Sequence, residues 1–79
     1  MTLLQLKYAL TAAECKTVSE AAKKLYISQP SLTSAIKELE DELGITIFNR
    51  TNKGIIISAE GEEFLGYARQ VIEQTNLMH

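Results

Sequence analysis

Between Pro30 and Lys37 the chain sets out Pro30, Ser34 and Lys37 along one side of a helical register, with Thr33 beside them and no carboxylate among them. Hydroxyls and an ammonium group are donors suited to phosphate oxygens and base edges. All the acid of this segment, Glu38, Glu40, Asp41 and Glu42, follows in the next half. A helix made only for solubility would more often mix its charges along its length. One whose N-terminus approaches phosphates has a reason to hold carboxylates away from that end, where the helix dipole also favours anions. The plain alternative is the wet face of an ordinary helical hairpin.

The elements that must position this face follow from spacing. Leu32, Ala35, Ile36, Leu39 and Leu43 recur as the buried stripe of the same helix. Ser28 is suited to cap its start, and Pro30 suits the first turn while discouraging helix in the residue before it. Upstream, Thr17 and Glu20 have the spacing of a capping box, which predicts a short helix from about Val18. Two helices joined by three or four residues form a helix-turn-helix, here at about 18–37, whose second helix is the one that enters a DNA major groove.

The flanking segments extend the plan. Thr2 and Gln5 predict another capping box, and Leu3, Leu6, Leu10 and Ala13 an apolar stripe on a first helix. Ile45–Phe48 and Ile55–Ile57 are rich in strand-favouring residues, with turn chemistry between Asn49 and Gly54. They predict a two-stranded wing at about 46–58, with Arg50 and Lys53 near its tip. Ser58, then Glu60, Glu62 and Glu63, mark the start of a long final helix. Phe64, Leu65, Ala68, Val71 and Ile72 form its stripe, continuing toward Thr75 and Met78, with Gly61 and Gly66 permitting close packing. No Gly or Pro stop precedes His79, so the helix is expected to continue in a longer protein or to be completed by a partner.

Composition sets bounds. A chain of 79 residues forms one domain, burying roughly 60% of its unfolded surface. Its 46% hydrophobic content argues against disorder. Without a signal peptide or an apolar run long enough to span a bilayer, the expectation is a soluble, cytoplasmic protein that does not engage membranes. The single cysteine, Cys15, excludes an internal disulfide and a cysteine-cluster metal site, and reads as a packing residue. Tyr8, Tyr26 and Tyr67 read as core or rim packing, and the acidic cluster 38–42 as solvated. The net charge of −2 argues against simple nucleic-acid binding, but its distribution is uneven. Residues 1–37 hold five lysines against two glutamates, whereas 38–42 hold only acid.

In combination these stretches resemble one family. Ala21-Ala22, Ser28-Gln29-Pro30-Ser31-Leu32, Leu39-Glu40 through Leu43-Gly44, Phe48-x-Arg50 and Gly61 are similar to the N-terminal DNA-binding domain of the LysR-type bacterial transcriptional regulators, over nearly all of the chain. The resemblance implies a mostly α fold: a winged helix-turn-helix with a three-helix core and a two-stranded wing over 1–58, then a linker and dimerisation helix over 59–79. It implies double-stranded DNA as partner, contacted through Gln29, Pro30, Ser31, Thr33, Ser34 and Lys37 of the reading helix and Arg50 and Lys53 of the wing. Gln29 has the chemistry to pair bidentately with adenine, while Lys37 and Arg50 suit phosphates. The family commonly has an arginine where this chain has Ser34, a departure that predicts weaker DNA affinity from this helix. The resemblance further implies a homodimer through Phe64, Leu65, Ala68, Val71, Ile72 and Thr75. It implies no cofactor in this chain, with a small-molecule effector bound by a further C-terminal domain. A winged-helix module for protein–protein interaction is the rival, which the net negative charge would suit. No nucleophile–base pair, metal set or phosphate-cradling glycine loop points to an enzyme.

Overall fold

The protein is described over residues 1–77 of a computed structural model, so that Met78 and His79 lie outside the described residues. Four helices and one hairpin follow in order: α1 (Leu3–Cys15), α2 (Val18–Leu25), α3 (Gln29–Leu43), β1 (Phe48–Thr51), β2 (Gly54–Ile57) and α4 (Ala59–Leu77). This is the expected winged helix-turn-helix, a mostly helical fold with an antiparallel two-stranded wing.

The helix starts are set by short polar side chains that accept the otherwise unpaired first amides. Thr2 and Gln5 form the full capping box, with Gln5 N donating to Thr2 Oγ1 at 3.1 Å and Thr2 N to Gln5 Oε1 at 3.0 Å. Thr17 caps α2 through Glu20 N at 3.1 Å. Only half of that expected box forms, since the Glu20 carboxylate lies 3.9 Å from Lys23 Nζ instead. Ser58 accepts from Gly61 N at 2.8 Å and starts α4.

The core comprises two clusters. Ala12, Ala21, Ala22, Leu32 and Ile36 join α1, α2 and α3. Ala9, Leu39, Ile47 and Leu65 join α1, α3 and α4, and Phe48 packs against both clusters. The stripe on α1 differs from expectation. Leu6, Ala9 and Ala12 are its buried residues, and Leu3 is exposed. Small side chains let α1 approach its neighbours closely at its centre, which a search for large apolar residues overlooks. On α3 the expected stripe holds, with Leu32, Ile36 and Leu39 buried and Ala35 and Leu43 half-buried.

Three other expectations are corrected. Ile45 to Ile47 form a loop rather than a strand, because Ile47 spends its side chain in the core and its amide on Glu40. Tyr26 and Tyr67 are 95% and 71% exposed, so neither packs, whereas Tyr8 is half-buried against the first cluster. Of the two α4 glycines, only Gly61 has a packing role: a Cβ there would stand 2.6 Å from the Ile47 carbonyl oxygen, while around Gly66 there is open space.

Candidate nucleic-acid interface

The reading helix begins at a tight polar cap. Ser28 Oγ accepts from Ser31 N at 3.2 Å and is hydrogen-bonded to Ser31 Oγ at 2.8 Å. The Ser31 hydroxyl is therefore already engaged in the cap. Gln29, Pro30, Ser31, Ser34 and Lys37 are all exposed, so the fold itself makes little use of their side chains. Leu32 and Ile36 anchor the opposite face. No acid falls in the first turn of α3, which leaves its N-terminal amides as the local positive end.

Thr33 departs from the base-reading row. It is half-buried, and its Oγ1 accepts from Arg50 Nη2 at 3.2 Å. Arg50 correspondingly is not at the tip of the wing. The register pairs Phe48 with Ile57, Asn49 with Ile56, Arg50 with Ile55 and Thr51 with Gly54, which leaves Asn52 and Lys53 as the turn. Arg50 therefore lies within β1 beside the reading helix, and Lys53 shares the tip with Asn52. The turn is braced by Thr51, whose Oγ1 accepts from Lys53 N and donates to Gly54 O, each at 3.2 Å.

The wing is held on both edges. Ile55 N donates to Lys16 O at 3.0 Å, at the left-handed residue that ends α1. That approach requires glycine at position 54, where a Cβ would collide with the same carbonyl. On the other edge, Ile47 N and Phe48 N donate to Glu40 Oε2 at 2.6 and 3.1 Å. Glu40 is thus not part of a solvated acidic face, as its neighbours' composition suggested. It is half-buried and occupied. Glu42 is engaged as well, within 2.5 Å of the Met1 amino group, although that pair is exposed.

Thr33, Lys37 and Arg50 line a notch of about 120 Å³ between α3 and the wing, floored by apolar side chains including Ile36 and Phe48. Among the described residues, neither Lys37, Arg50 nor Lys53 forms an ion pair with a carboxylate, whereas Lys23 pairs with Glu20 and Lys24 with Glu14. Uncompensated cations beside an exposed, acid-free helix start form a surface suited to a polyanion. Among the described residues there is no grouping of three or more metal-ligating side chains, and no helix long and apolar enough to cross a membrane.

The last helix separates into two parts. Gly61, Leu65 and Ala68 are buried. Leu65 and Ala68, expected at a subunit interface, lie instead in the protomer's own core, because the first turns of α4 pack on α1. The globule therefore continues past residue 58 into α4. Phe64, Val71, Ile72 and Thr75 are half-buried, and the Thr75 hydroxyl donates to Val71 O at 3.0 Å.

Comparison with known proteins agrees with this architecture. Residues 3–62 match the family of bacterial regulatory helix-turn-helix proteins of the lysR type. The HTH-type transcriptional regulator ClcR of Pseudomonas putida is 39% identical over 77 residues, covering 98% of this chain and 26% of that protein. TfdT of Cupriavidus pinatubonensis is 42% identical over 72 residues, covering 91% of this chain and 32% of that protein. Among solved structures, the CbnR DBD–DNA complex aligns with a TM-score of 0.95 at 37% identity, covering 99% of this chain and 90% of that one. The complex of the BenM DBD with catB site 1 DNA aligns with a TM-score of 0.94 at 35% identity, covering 99% and 84%. The chain belongs to the LysR family of helix-turn-helix regulators. It spans about a quarter to a third of the length of these relatives.

Proposed function

We propose that this chain is the DNA-binding domain of a bacterial transcriptional regulator, reading duplex DNA with α3 and holding its backbone with the wing. The observation that carries this reading is the exposed, carboxylate-free first half of α3, bordered by Lys37, Arg50 and Lys53, none of them neutralised within the described residues. The relatives solved as DNA complexes support it. Gln29 is assigned to a base edge, with Pro30 and Ser34 beside it and Ser31 shared with the cap. Lys37 and Arg50 take phosphates between the major and minor grooves, and Lys53 reaches from the tip of the wing. Thr33 acts through Arg50 rather than on a base.

The regulator works as a homodimer, and α4 supplies the contact. With Leu65 and Ala68 committed to the protomer, the partner-facing set is Phe64, Val71, Ile72 and Thr75, joined by the exposed Tyr67. Paired helices would set the distance between two reading helices, as a two-fold-symmetric site demands. A small-molecule effector would act through a domain outside this chain.

Titration of the protein with duplex DNA over a range of salt concentrations tests the reading. Affinity should fall steeply and linearly on logarithmic axes, with a slope of about −0.9 per phosphate neutralised. Absence of any salt-dependent binding would instead favour a winged-helix module that docks on other proteins, consistent with the net charge of −2.

A further inference from the structure

The geometry points to Glu40 as the positioning residue of the wing, a role through which it controls how many phosphates the domain neutralises. Glu40 lies seven residues after Thr33 and three after Lys37, on the side of α3 that meets the wing. Its Oε2 accepts both the Ile47 and Phe48 amides, at 2.6 and 3.1 Å. The Phe48 amide opens the strand that carries Arg50 and the Ile47 amide leads into it, so the carboxylate fixes the root of β1 directly against the reading helix. Thr33 repeats the contact farther along, through Arg50 Nη2 at 3.2 Å. The wing is thereby strapped to α3 at two levels, with Lys37 between them.

This proposal rests on the reading of the wing as a DNA contact, and it predicts an effect of unexpected sign. Removing a carboxylate from beside a phosphate-binding surface should, by charge alone, tighten binding. If Glu40 positions the wing, its loss instead weakens binding, because Arg50 and Lys53 are no longer presented. Two conservative variants separate the causes. Glu40→Gln loses the charge and keeps an acceptor at the same reach. Glu40→Asp keeps the charge on a side chain one methylene too short for both amides.

The test is a salt titration of each variant on a random-sequence duplex, together with amide exchange of residues 48–57 in the free protein. Glu40→Asp should reduce the salt slope by about one to two units, toward that of the Arg50→Ala, Lys53→Ala double variant. Its wing amides should exchange faster than in the parent. Glu40→Gln should keep the parent slope and the parent exchange rates. The reverse order, with Gln altered and Asp not, would overturn the proposal in favour of a charge effect. Unchanged wing exchange in Glu40→Asp would overturn it as well. If exchange rises but neither Glu40→Asp nor the double variant changes the slope, the strap exists and the wing's contact with DNA is what fails.

Discussion

The exposed and buried faces of α3 do different work, and composition marks the division only in part. The first half, with one cation and a few small polar groups, exposes Gln29, Pro30, Ser31, Ser34 and Lys37 while Leu32 and Ile36 turn into the core. The second half carries four acids within five residues and would pass for the solvated end. Yet Glu40 holds two loop amides, Glu42 meets the amino terminus, and Leu39 is fully buried. Glu38, Asp41 and Glu42 are exposed as their charge suggests, and Glu40 is the exception. What counts is whether the fold already supplies a partner: Leu32 and Ile36 are buried and Thr33 meets Arg50, while Gln29, Pro30, Ser34 and Lys37 are left exposed.

The largest expected effect lies on the buried face. Leu39→Ala should lower unfolding stability by about 2–5 kcal/mol in denaturant titration, from lost burial and the cavity left between α1, α3 and α4. Ser34→Ala, on the exposed face, should stay within about 0.5 kcal/mol of the parent. Similar losses at the two positions would break the contrast.

The exposed face should matter to binding. Gln29→Ala is expected to cost about 1–3 kcal/mol on the cognate site and to leave random duplex nearly unaffected. Competition between the two duplexes reads this directly. Equal losses on both would remove Gln29 from sequence reading.

Thr33, half-buried, sharpens the boundary between the two faces, and its effect should be the smallest. Arg50→Ala should lower the salt slope by about one unit on any duplex. Thr33→Ala should lower it by less, and the double variant should match Arg50→Ala alone, because Thr33 acts through the 3.2 Å hydrogen bond to Arg50. Additive losses would mean that Thr33 has its own contact with DNA.

The helix starts were legible because each is a local event. Thr2, Thr17, Ser28 and Ser58 accept amides three residues onward, as their spacing predicts. The α3 stripe was legible because large apolar residues recur at helical period. The α1 stripe was displaced because its centre is made of Ala9 and Ala12, whose importance lies in what packs on them. Ile45 to Ile47 read as a strand from side-chain type alone, but the partner of the Ile47 amide proved to be a glutamate carboxylate seven residues upstream.

By itself the sequence determined the caps, the helix-turn-helix, the presence of a two-stranded wing and the separation of cations from acids, because all of these depend on neighbours within a few residues. Only the tertiary structure decided which of these polar groups remain free. It drew Arg50 from the hairpin tip to Thr33, turned Glu40 from a surface acid into the root of the wing, and committed Leu65 and Ala68 to the protomer's core. Those outcomes depend on contacts between elements distant along the chain. Local periodicity carries no record of them, since a side chain's type states what it can bond and not what folding brings within reach.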